Sequence, residues 1–279
     1  MYVLLALTSG LLFGVWKFGL GRFRGVVSPY SIVLVSAAAA AIVYLVFGGL
    51  TSQFVIDSAD LLPSLLGGVL NLIGNLLIVE AFARGKLAVV TGVALTAVLV
   101  PLAYSFMIGE SMATIAAVGI VFLLAGLLLF YLPDIRKRTE TKNAKAAIAL
   151  ALIAALAWGL AIIVIDIGSR VSLPATMLIS QLPQVAFTLM MIALVKRSWG
   201  GLNRSAVVGL AAAGVALGLA NYCFFTAANE GDIGIVTVLS SLSTIVVALL
   251  AWIVLSERLS RSEVLALIVV LAGTTMIVM

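Results

Sequence analysis

The chain has 279 residues, of which 64% are hydrophobic and 10% charged, with a net charge of +5 and no histidine. Soluble domains carry about 25% charged residues, so a water-solvated globule is excluded, and the missing imidazole leaves hydrolytic or metal chemistry without its commonest base and ligand. The basic excess lies in short segments between apolar runs, which points to membrane topology and not to nucleic acid.

Apolar runs of roughly 20 residues match a hydrocarbon core about 30 Å thick, and lipid leaves open strands without backbone partners. Ten transmembrane helices are therefore predicted, over 2–21, 29–49, 61–83, 87–108, 112–132, 145–169, 174–195, 205–229, 233–255 and 261–279. The first begins at residue 2 with no basic n-region or small-residue cleavage site, so it is expected to be retained and not removed as a signal peptide. Residues 133–144, polar and charged, are expected to form a linker loop between two five-helix units, 1–132 and 145–279. The single cysteine, Cys223, lies inside an apolar segment, which excludes a disulfide framework within the chain.

The two units repeat one another. Phe13-Gly14 matches Trp158-Gly159 and Pro29 matches Pro174 at an offset of 145 residues; Asn75/Asn221, Gly85/Gly231 and Thr91/Thr237 are 146 apart; Glu110/Glu257 and Gly126/Gly273 are 147 apart. So slow a drift marks an internal duplication. An odd number of helices per copy places the copies in opposite orientations, giving an all-α membrane protein of two inverted-topology five-helix repeats with a solute site expected between them.

Of the 16 Lys and Arg residues, 14 fall in odd-numbered loops, among them Arg22, Arg24, Arg84, Lys86, Arg136, Lys137 and Arg138. The exceptions are Lys17, inside the first helix, and Arg170. The positive-inside rule then puts odd loops in the cytoplasm of a cell (plasma) membrane protein, with both termini outside.

Each half closes on a short Glu turn and a Gly-ended helix. These are Met107-Ile-Gly-Glu110 with Leu124-Ala-Gly126, and Leu249 through Ser260, which contains Ser256-Glu257, with Leu271-Ala-Gly273. With Phe13-Gly14 and Trp158-Gly159, these stretches make the whole chain resemble the EamA-type branch of the drug/metabolite transporter superfamily. The chain departs from that pattern where the family has a proline about thirteen residues before each Glu: here stand Ala97 and Thr244, with Pro101 four residues late, and Ser256 replaces a glycine. The resemblance implies movement of small organic solutes through a central cavity lined by helices near 1, 3, 4, 6, 8 and 9. It also implies termini inside, opposite to the charge count.

Lys17 stands out, because a charge within a span costs roughly 2.5–3.5 kcal/mol and marks function by default. It meets an anionic group of a solute, forms a structural pair with Glu80 at similar depth, or snorkels to the interface. Arg84, at i+4, competes for Glu80. Trp16 and Trp158 supply apolar walls. Asn71 and Asn75 share a face of the third helix, with Asn221 and Tyr222 as counterparts in the eighth; Gln181, Gln184 and Thr188 share a face next to Pro183. Thr237, Ser240, Ser241 and Thr244 form a stripe on the ninth helix that serves either packing or a solute. Buried amides need partners, so Asn75, Asn221 and Gln181 point to a wet cavity. Glu80 and Asp166 are the candidate carboxyls for proton coupling, since burial favours the neutral acid. Glu110 and Glu257 are expected to cap the helices that follow them.

The expected function is secondary transport of small polar organic solutes, amino acids or related metabolites, by alternating access. The partners expected are a small-molecule substrate, membrane lipid and protons, with no nucleic acid and no cofactor, in a monomer or homodimer. No His/Cys/Asp cluster or serine dyad argues for an enzyme. The alternative is a membrane-embedded structural or accessory subunit whose repeats only pack. A transporter requires a polar cavity between the halves; a packing protein fills that space.

Overall fold

In the computed structural model the described residues are 1–278 apart from 52–53, 56, 86, 110–112, 139–141, 170, 195–200 and 256–260. Every regular element among them is helical: α1 (Tyr2–Arg22), α2 (Pro29–Thr51), α3 (Ser58–Arg84), α4 (Leu87–Ala94), a 3-10 turn (Leu95–Val98), α5 (Leu99–Met107), α6 (Thr114–Arg138), α7 (Lys142–Gly168), α8 (Leu173–Leu194), α9 (Arg204–Glu230), α10 (Ile233–Ser240), α11 (Ser243–Leu255) and α12 (Arg261–Val278). Eight helical stretches among the described residues are long and apolar enough to cross a membrane; Thr114–Gly126 and Ile268–Ile277 are shorter apolar stretches.

Side-chain caps close several helix ends. Asp57 accepts from the amide of Ala59 (3.0 Å), Asn203 from Ala206 (2.8 Å) and Asp232 from Ile235 (3.0 Å), each satisfying an amide the helix leaves unpaired. Glu110 and Glu257, expected to do the same, lie outside the described residues. The expected linker loop is largely helical: α6 continues through Pro133 to Arg138 and α7 starts at Lys142. Charge alone does not end a helix, and this stretch has no glycine to break one. Helix α8 likewise runs on through Pro183.

The helices pair across the two halves. α1 lies along α9 and α3 along α7; α2 packs on α8 and α9, and α3 also packs on α8. α1 contacts α10 and α11, while α7 contacts α4, the 3-10 turn and α5; α6 and α12 pair along their lengths. Close approach depends on glycine. A Cβ on Gly14 of α1 would lie 2.9 Å from the carbonyl oxygen of Ser243 and overlap Val246, and one on Gly159 of α7 would lie 2.9 Å from the oxygen of Ala97 and 2.6 Å from the Val100 Cβ. Between α6 and α12, a Cβ on Gly119 would lie 2.8 Å from the carbonyl oxygen of Gly273.

The outer surface is apolar and the interior partly polar. Leu4, Ile42, Leu62, Leu152, Val208 and Leu265 are exposed, whereas Asn75, Gln181, Gln184, Thr188 and Ser240 are buried. In water so large an apolar surface would aggregate; against acyl chains it is the solvated face.

Candidate functional site

Helices α4–α5 and α10–α11 each break near mid-length, and the breaks face one another across a cavity. In the first, Pro101 has no N–H to give to the carbonyl of Ala97, four residues back, and its ring crowds that carbonyl. The chain tightens into the 3-10 turn at Leu95–Val98. The departure seen in the sequence, a proline four residues late, thus lands its effect on Ala97. In the second, hydroxyls compete for the helix's own carbonyls: Thr237 donates to Ile233 (2.7 Å), Ser241 to Val238 and Thr244 to Ser241 (2.7 Å). Backbone bonds shorten to i→i−3 at Leu242, Thr244 and Ile245.

The cavity has a volume of about 120 Å³, measured to the centres of water-sized spheres. A single water needs roughly 10–15 Å³ on that measure, so the space fits a small organic molecule. Of the residues expected to contact a solute, Trp16, Lys17, Asn71, Asn75, Trp158, Gln181, Gln184, Asn221, Ser240, Ser241 and Thr244 all line it. They come from α1, α3, α7, α8, α9, α10 and α11, and the turn at 95–98 adds Leu95, Ala97 and Val98. Asn71, Asn75, Trp158, Gln181 and Gln184 sit near the middle of their helices.

Tyr222 is a correction. It stacks on Phe47 of α2, ring centroids 4.5 Å apart, and does not line the cavity. One residue along a helix turns the side chain by about 100°, so Asn221 and Tyr222 face different neighbours. Asn221 donates to the Tyr44 hydroxyl (2.9 Å).

One hydrogen-bond chain crosses the cavity wall. The Trp158 indole donates to the Asn75 carbonyl oxygen (3.0 Å), Asn75 Nδ2 to Gln184 Oε1 (2.7 Å), and Gln184 Nε2 to Gln181 Oε1 (2.9 Å). An indole N–H can only donate. It therefore fixes the Asn75 amide orientation, Asn75 fixes Gln184, and Gln184 fixes Gln181. The polarity of the whole chain follows from one tryptophan, and the terminal Gln181 amide is left with its NH₂ as its free group.

Lys17 donates to Ser243 Oγ (2.9 Å), and its Nζ lies 6.0 Å from the centre of the Trp158 ring. The Trp16 ring is 5.8 Å from the same ring, and its indole nitrogen is buried with no acceptor among the described residues. Glu80 instead binds Arg84 one turn on (2.7 Å), with both side chains partly exposed. The alternative that paired Lys17 with Glu80 is thus replaced on both sides: Arg84 shares Glu80's helix face, and Lys17 turns to the break between α10 and α11. Asp166 is buried in α7 but, like Glu80, does not line the cavity. The hydroxyl stripe is split in role. All four line the cavity, but Ser240 meets Ser9 of α1 (Oγ–Oγ 2.6 Å), a packing contact, while Thr237, Ser241 and Thr244 bond their own helix.

Reading the sequence missed Phe13, Phe224, Ile162, Leu217 and Ser243 as lining residues. Ser243 was signalled by lying within the hydroxyl stripe. The apolar four carry no signal, because in an all-apolar helix lipid-facing and cavity-facing residues have the same composition. Among the described residues no group of three or more His, Cys, Asp or Glu could hold a metal ion.

Residues 145–279 match the family model described as the EamA-like transporter family. No curated protein matches the chain. It is similar in fold to a protein of known crystal structure, with a TM-score of 0.81 over 99% of this chain and 95% of the other at 18% identity.

Proposed function

We propose, for a chain whose second half (residues 145–279) belongs to the EamA-like transporter family of the drug/metabolite transporter superfamily, that it is a secondary transporter of small polar organic solutes, amino acids or related metabolites, working by alternating access. The observation that carries this reading is the cavity between the halves, with Lys17 and the Asn75–Gln184–Gln181 amides on its wall. A packing subunit would fill that space. In this reading Lys17 meets an anionic group, the aromatic residues form walls, and the amides orient the solute.

The architecture we infer is ten spans in two inverted five-helix repeats, 1–132 and 145–279. Helix pairing supports it: α1 with α9 corresponds to α7 with α3, and the contacts of α1 with α10 and α11 correspond to those of α7 with α4 and α5. The Gly14–Ser243 and Gly159–Ala97 approaches correspond in the same way. Such broken helices facing a shared site are the usual construction of inverted-repeat transporters. The cavity is complete within one chain, so a monomer suffices. Odd loops face the cytoplasm of the plasma membrane in this reading, from the charge bias. The coupling proton is carried by Glu80 or Asp166, the two carboxyls within the spans.

The test is a melting screen of the purified chain against amino acids, organic acids, amines, sugars and nucleobases, followed by counterflow of each hit in proteoliposomes. A ligand at 100 times its Kd stabilises by about 2.7 kcal/mol. Melting shifts with counterflow support transport; binding without counterflow, or no hit in any class, refutes it.

A further inference from the structure

The balance of donors and acceptors in the cavity narrows the solute. Among the described lining residues Lys17 is the one charged side chain, and no carboxylate lines the space. Its ammonium has three N–H donors, and one goes to Ser243 Oγ. The chain running from Trp158 through Asn75 and Gln184 leaves the Gln181 NH₂ as its terminal donor. Trp16 adds an indole N–H, buried in the wall without an acceptor among the described residues. All of these groups donate, and the one formal charge is positive.

A ligand ammonium finds no carboxylate: the acceptors on the wall, the amide oxygens of Asn71 and Asn221 among them, are neutral. The hydroxyl oxygens of Thr237, Ser241 and Thr244 are neutral acceptors, and each hydroxyl already gives its proton to a backbone carbonyl. The Trp158 face, a possible cation site, is already approached by Lys17 at 6.0 Å. A second cation would sit beside the first with no counter-charge. The rest of the wall is the neutral Asn71, Asn221 and Ser240 together with an apolar surface of Phe13, Phe224, Ile162, Leu217, Leu95 and Val98.

We propose that the cavity takes a monocarboxylate with an aromatic or branched apolar body and no ammonium group. Its carboxylate is received by Lys17 and the Gln181 amide, and its body lies among the Phe13, Phe224 and Trp158 rings. This rests on the transport reading above and narrows its solutes from amino acids to related metabolites that carry a carboxylate without an amine.

Four probes with one phenyl body separate the possibilities: 3-phenylpropanoate, phenylalanine, phenethylamine and 3-phenylpropanol. Binding to the purified full chain is measured by calorimetry at neutral pH. Phenylpropanoate is expected to bind at least about tenfold tighter than each of the others, the scale of one hydrogen bond to a charged group. In Lys17→Met that advantage over phenylpropanol is expected to vanish while phenylpropanol binding is kept, which also shows the variant folded. Gln181→Leu, which deletes the amide donor, is expected to lower the same ratio, and an unchanged ratio overturns the amide's part in the site. If the wild type binds phenylalanine or phenethylamine as tightly as the acid, or no phenyl probe at all, the carboxylate assignment is overturned. Counterflow of some other solute would then leave transport standing, whereas absence of counterflow for every solute class would overturn both.

Discussion

Asn75 and Asn71 stand one turn apart on the same face of α3 and both line the cavity, yet the structure assigns them opposite energetics. Asn75 is 6% exposed and holds two bonds, accepting from the Trp158 indole and donating to Gln184. Asn75→Leu leaves the Trp158 N–H and the Gln184 oxygen without those partners. Each buried polar group stripped of its partner costs about 1–3 kcal/mol, so the pair sets a range of about 2–6 kcal/mol. Cavity water can replace part of the loss, which places the expected cost in the lower half, about 2–4 kcal/mol. Asn71 makes no side-chain hydrogen bond to another described residue, so Asn71→Leu removes a polar group with nothing to lose on the protein side. It is expected to change stability by less than about 0.5 kcal/mol. Reversible unfolding of both variants in mixed micelles, followed by tryptophan fluorescence, gives the two numbers. Equal costs, or a larger one for Asn71→Leu, would refute the claim that the Trp158-to-Gln181 chain stabilises the fold.

Lys17→Met and Glu80→Gln are expected to be additive within about 0.5 kcal/mol, since Lys17 engages Ser243 and Glu80 engages Arg84. A double-mutant coupling above 1 kcal/mol, on the order of a buried pair, would show that the two residues meet. Gly14→Ala and Gly159→Ala are each expected to lower stability by about 1–3 kcal/mol through overpacking against Val246 and Val100; an unchanged melting curve for either contradicts the tight approach at that break. Lys145→Cys in a Cys223→Ala background, exposed at the start of α7, is expected to resist an impermeant maleimide in intact cells and to react after permeabilisation. Labelling from outside would reverse the orientation inferred from charge.

The helix positions were legible because apolar runs end where charges begin, as at α8, expected over 174–195 and found at Leu173–Leu194. The cavity was legible for a related reason: a polar side chain in mid-span has nowhere to go but inward, so Asn75, Gln181 and Asn221 marked the interior without any knowledge of packing. Rotation about each helix axis was less readable, and Tyr222 shows why. A phenol is at ease beside lipid, aromatic neighbours or a cavity, so its chemistry does not choose a face. The breaks at Leu95–Val98 and between α10 and α11 were hidden because their cause is distributed over one proline's missing N–H and three hydroxyls' competition for carbonyls. The partner of Lys17 required a three-dimensional fact, that Gly14 lets α1 approach Ser243 closely enough for the amine to reach it.

The pairing of α6 with α12 has a consequence for biosynthesis. The surface that receives Gly119 of α6 belongs to α12, which is synthesised only after the whole of α7 to α11. At 5–20 residues per second, the interval between the two is on the order of 10 s. Throughout it α6 is exposed to other nascent or chaperoning helices with its small-residue groove unoccupied. The first half therefore cannot mature as a unit while the second is being translated, and a chain truncated before α12 leaves that groove open to the quality-control machinery of the membrane.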